Sequence, residues 1–227
     1  MIALQLNEPR IEYKEFTVSI IDEMPRLIQQ GYQPISIAQI MQRRLNVLGS
    51  IPEVKDAWWM NYFDSGDAVV YHPDGKIKIV LDSPLARKLN PDITLSDGTP
   101  DSVLPYGALI LPDGMYEQVQ GEEFSKDVVE KYTYAEQPTV RKVKHNPIWR
   151  ALARDQNLLA EYAKATFKEA KPEYNTDTKM EILISSYTKV PNLRLWELGG
   201  NLSHAIGFDT ICGLTGRLVG VSLKKNP

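Results

Sequence analysis

The hydrophobic period of this chain changes from helical to alternating near residue 65, and that change restricts the possible folds more than any other feature. Upstream, apolar residues recur at helical spacing. Ile20, Met24, Leu27 and Ile28 share one stripe in 17–31, which stops at Gly31, and Ile37, Ile40, Met41, Leu45 and Leu48 share another in 34–49. A third helix is predicted over 52–63, with Pro52 in its first turn and Trp58, Trp59, Tyr62 and Phe63 toward its end. Downstream, 67–82 alternates apolar and polar residues around His72-Pro73-Asp74-Gly75, the pattern of a β-hairpin. The Pro-Asp-Gly turn recurs at 112–114 inside 107–121, which reads as a second hairpin. Helices first, antiparallel hairpins in the middle and a mixed end specify an α+β fold, with one long helix of the C-terminal half packed on a mixed sheet.

The rest of the chain divides on the same signals. Residues 83–106 hold four prolines and three aspartates and read as a loop. Residues 1–227 are expected to form a single domain, with a possible sub-boundary in that loop between a helical part, 1–65, and an α+β part, 66–227. A short helix near 122–132 and a basic strand at 139–144 precede the long helix, 146–171. Asn146 is its N-cap, Pro147 its first residue, and Pro172 lies beyond its end. Strands are predicted at 180–188 and 217–223.

Composition narrows the class of protein. With 227 residues, 43% hydrophobic and 24% charged, the chain has the make-up of a folded soluble protein. A net charge of −3 lacks the basic excess of a nucleic-acid or anionic-lipid binder. One cysteine forms no internal disulfide, the N-terminus meets charge within eight residues, and no apolar run reaches the roughly 20 residues that span a bilayer. The expected setting is cytoplasmic, with no membrane partner. Charge is nevertheless segregated: 97–136 carries nine acids against two bases, and 138–171 eight bases against three acids.

Four patterns suggest chemistry. The pair of helices at 24–48 resembles a helix-turn-helix, with Gln39 and Ser36 offered to base edges and Arg43 and Arg44 to phosphates. The first fifty residues balance five bases against five acids, so duplex binding is expected to be weak at best. Trp58, Trp59, Tyr62 and Phe63 suit either core packing or a protein interface. The glycine-rich stretch 199–217 holds His204, Cys212 and Arg217, which would serve an enzyme cleft as general base and anion holder. A helix over 202–212 would separate His204 from Cys212 by about 12 Å, too far for a nucleophile and its base. Its glycines match neither dinucleotide nor Walker spacing. His72, His145 and His204 show no metal-ligand spacing, so neither metal nor cofactor is expected. The reading that results is a protein acting by binding or assembly, as a homo-oligomer or with a protein partner. A small-molecule enzyme at 199–217 is the alternative and weak DNA binding the third.

Overall fold

A computed structural model describes residues 11–16, 19–90, 108–134, 139–169, 179–184, 189–207 and 216–223. The elements begin with β1 (Ile11–Phe16), α1 (Ile20–Gln29), β2 (Gln33–Pro34), α2 (Ile37–Asn46), α3 (Pro52–Trp59), β3 (Tyr62–Tyr71), β4 (Ile77–Val80) and a 3-10 turn (Ala86–Lys88). Next come β5 (Leu109–Ile110), α4 (Met115–Gln118), β6 (Glu122–Phe124), α5 (Lys126–Tyr132), α6 (Val140–His145), α7 (Pro147–Ala153) and α8 (Gln156–Glu169). The chain closes with β7 (Ile182–Leu183), β8 (Asn192–Leu198), β9 (Ala205–Ile206) and β10 (Gly216–Leu223). The fold is α+β. No helix among the described residues is long and apolar enough to cross a membrane.

All ten strands join one mixed sheet whose main path runs β1-β10-β3-β8-β9-β7. The first and last strands are neighbours, paired antiparallel from Ile11↔Leu223 to Phe16↔Leu218, so the two ends of the described chain are stitched together. β3 forms the centre. Its first residues pair with β10, its last with β4, and both halves with β8, across a register shift between Asp64 and Ala68. Asp67 sits in that irregularity, buried. Its carboxylate accepts the Ile37 N–H at the start of α2 (2.9 Å), the Asp82 N–H after β4 (2.9 Å) and the Arg154 guanidinium (2.6 Å).

The sheet separates two cores. Ile20, Met24 and Leu27 of α1 pack on one face with Tyr116 and Leu218. Ile37, Ile40 and Met41 of α2 pack on the other, with Trp58, Trp149 and Tyr162. The helix-turn-helix considered as a third reading at 24–48 therefore does not form. β2 lies between the two helices and pairs with β10, sending them to opposite faces. Arg43 and Arg44 are buried, and the Gln39 side chain is spent on the capping box of α2, accepting from the Ser36 N–H.

Other expectations are corrected by local chemistry. The predicted helix 52–63 ends at Trp59, and Tyr62 and Phe63 open β3. The basic "strand" 139–144 falls in α6, capped by the Thr139 hydroxyl and anchored by buried Val143. The long helix is two helices. Arg154 adopts a left-handed conformation (φ 62°) while its guanidinium reaches Asp67 and Asp82, and Asp155 then starts α8 by accepting the Asn157 and Leu158 N–H groups. The hairpin at 67–82 forms as β3 and β4, with Gly75 at φ 91°. The 107–121 stretch is no hairpin: β5 pairs with β8, and Gly114 leads into α4. β1 and β8 arise where no strand was predicted.

Arg44 holds the larger core together. Its Nε donates to the Trp58 carbonyl (2.8 Å), Nη1 to the hydroxyls of Tyr162 (2.7 Å) and Ser203 (3.2 Å), and Nη2 to the carbonyls of Asn61 (2.9 Å) and Gly199 (2.8 Å). Every N–H of the fork is used. Lysine offers three donors and no fork, so Arg44→Lys strands at least two buried acceptors. It is expected to cost about 3 kcal/mol or more, at about 1–3 kcal/mol per orphaned group. Denaturant unfolding measures this directly, and a loss below about 1 kcal/mol would contradict it.

Candidate functional site

The sheet ends at β7, and there the structure builds a cavity. Asn146 starts α7 by accepting the Ile148 and Trp149 N–H groups, while its amide donates to the Tyr132 carbonyl and so fastens α5 to the α6–α7 junction. The Trp149 indole N–H donates to the Met180 carbonyl (2.8 Å), holding the strand segment against α7. Between these supports lies a concavity of about 270 Å³, with a floor of Tyr132, Val143, Met180 and Ile182. Lys131 of α5 and Lys142 and His145 of α6 line it as well, with Glu181 as the one acid.

His204, proposed from sequence as a general base, buttresses this cavity from behind. Its Nδ1 accepts the Glu181 backbone N–H (3.0 Å), and the Ala205 N–H donates to the Glu181 carbonyl (2.9 Å). Nδ1 is thereby the acceptor and Nε2 carries the hydrogen of the neutral ring. Burial lowers the His204 pKa to about 4, and burial also pushes the Glu181 carboxyl above its ordinary range. A ring whose basic nitrogen is already committed is a poor proton acceptor.

Arg217 stands elsewhere. Arg217 pairs with Phe63, Phe63 with Leu198 and Leu198 with Ala205, so three strand spacings, about 14 Å, separate it from the His204 segment. Its Nε is 3.3 Å from the Glu15 carboxylate. The enzyme cleft held as the alternative at 199–217 is not assembled from these two residues. Residues 202–207 form a turn and β9, not the start of a helix, and Cys212 lies outside the described residues. The nearby glycines serve packing: a Cβ on Gly216 would lie 2.1 Å from an Asp64 carboxylate oxygen, the wrong charge for an anion loop.

The aromatic cluster divides. Trp58, Trp59 and Phe63 are buried within the chain itself, Trp58 stacked on Phe63 at 4.9 Å and Trp59 on Tyr162 at 5.7 Å. They are core, because the helix ends before Tyr62 and turns the cluster inward around the two arginines. Only Tyr62, 42% exposed, stays at the surface. Among the described residues no His, Cys, Asp and Glu side chains group as a metal site. The cavity was not found from sequence, and its one signal was the basic block 138–171.

No protein-family model matches this chain, and no curated protein matches it. A solved structure reported as "Accommodation of massive sequence variation in Nanoarchaeota by the C-type lectin fold" superposes with a TM-score of 0.57 at 12% identity, over 97% of this chain and 100% of that one. At that identity the likeness is one of fold.

Because His204 protonates less readily folded (about 4) than unfolded (about 6.5), the unfolded state binds more protons between those values, and acidification through them removes stability. The contribution is on the order of 3 kcal/mol, fully present above pH 7 and lost by pH 4. The raised carboxyls of Glu181 and Asp67 slope the opposite way, so the comparison is with His204→Asn. The variant is expected to be less stable at pH 7.5, with the gap closing toward pH 4. A gap constant with pH would refute this assignment.

Proposed function

We propose that this protein acts by binding, and that the cavity between α5, α6 and the 180–182 segment is its ligand site. The observation that carries this reading is a concave, apolar-floored site with polar groups converging on it, the usual form of a small-molecule pocket. The positions of His204 and Arg217 support binding over catalysis. The fold likeness is consistent with it: a protein of this architecture is reported to accommodate massive sequence variation, as a scaffold does when its cores stand apart from its variable surface. Titrating the full chain with small sugars, amines, carboxylates and phosphates, followed by amide chemical shifts, is expected to move Lys142, Val143 and Ile182 together for at least one class. No movement at these positions with any class would overturn the site.

A second reading, assembly with another copy or a protein partner, draws on three exposed apolar side chains close in sequence. Ile51, Met60 and Tyr62 are 57%, 40% and 42% exposed at the two ends of α3 and the start of β3. If they form a contact, Tyr62→Asp yields a folded species of smaller mass by light scattering. An unchanged mass removes this surface from consideration.

A further inference from the structure

The charge around the cavity is one-sided. Lys131, Lys142 and His145 line it, and Lys142 and His145 also border a neighbouring concavity with Thr139 and Arg141. Among the described residues, no carboxylate lies within ion-pair distance of Lys131, Arg141, Lys142 or Lys144, although ion pairs form elsewhere on the surface. Lys142 and His145 are exposed; the His145 Nδ1–H donates to the Arg141 carbonyl (2.7 Å), so Nε2 of the neutral ring is an acceptor and donates to an anion only when the ring is protonated. Clustered cations without counter-charges at a concave surface raise the local concentration of anions. The single acid, Glu181, leans toward His204, its carboxylate 3.9 Å from Nδ1. Burial raises its carboxyl above the ordinary carboxylate range.

We infer that the cavity takes a small organic anion, its apolar body against Val143, Met180 and Ile182 and its carboxylate or phosphate held by Lys131 and Lys142, joined by the His145 ring when it is protonated. The inference rests on the binding reading above and assigns its ligand class. A volume of about 270 Å³ equals roughly nine water molecules, enough for one ring or a short chain with its charged group. A bare inorganic anion leaves the floor unfilled, and a neutral ring leaves the cations unpaired, so both parts are required for affinity.

The full chain is titrated with phenyl phosphate, benzoate, inorganic phosphate and phenol, with binding read from amide shifts of Val143 and Ile182. Phenyl phosphate or benzoate is expected to bind at least tenfold more tightly than phenol or inorganic phosphate, and added salt to weaken it. Lys142→Glu is expected to lower that affinity at least tenfold. Lys144→Glu makes the same charge change on α6 outside the cavity lining, and is expected to change it less than twofold. The amide spectrum of each variant reports its folding. If phenol binds as well as phenyl phosphate, or the two variants weaken binding equally, the anion assignment falls while the cavity stands as a binding site. If no probe, and no class in the wider panel, moves these resonances, the binding reading falls with it.

Discussion

One guanidinium fixes the geometry on which the rest of the larger core depends. Arg44 lies fully buried with three backbone carbonyls and two hydroxyls around it, and no carboxylate of the described residues is within ion-pair distance. A guanidinium keeps its charge in proteins, so its removal from water must be offset by complete hydrogen bonding. The acceptors come from the end of α3, the approach to β3, α8 and the turn between β8 and β9. These acceptors fall in three stretches far apart in sequence, 58–61, 162 and 199–203, which one rigid, planar donor set brings into register. The rings of Trp59 and Phe63, within 6 Å of the same group, add attraction to their faces.

A carboxylate does the complementary work at the middle of the sheet. At the register shift in β3 the Ser65 hydroxyl donates to the Trp196 carbonyl, and the Asp67 carboxylate collects the N–H groups of Ile37 and Asp82 together with Arg154. The ion pair ties the break between α7 and α8 to the centre of the sheet. It explains why a sequence with good helix formers on both sides of Arg154 does not run through as one helix. Burial raises the Asp67 carboxyl against the lowering influence of Arg154, so the pair is held by geometry in a poorly solvated place.

The proposed ligand cavity follows from these constraints. It sits at the β7 edge, supported by Trp149, Asn146 and His204, each spending its polar atoms on backbone. Such support leaves the ammonium groups of Lys131 and Lys142 without a carboxylate partner among the described residues. That separation between a wall that is fixed and a rim that is unpaired is what a binding site requires.

Part of this was legible in the sequence. The change of hydrophobic period at residue 65 gave the α+β class, and the amphipathic stripes located α1 and α2 because their apolar faces are buried wherever the helix is placed. The first Pro-Asp-Gly located a hairpin because its turn geometry is local. The second led to α4, because β5 pairs with β8 and not with the segment that follows. β8 escaped notice because Arg194 and Glu197 sit inside a strand buried along its whole length, and only neighbouring chains reveal that such groups are accommodated. Arg43 and Arg44 read as phosphate contacts, and His204 as a base, for the same reason. The sequence by itself determined which segments carry an apolar face and where tight turns fall, since both are short-range properties of residue type. The tertiary structure decided which face of the sheet each helix covers, which polar side chains are buried, and where unpaired cations meet a cavity. Those outcomes depend on partners far away in sequence, such as Arg44 and Ser203, 159 residues apart, and no local pattern encodes them.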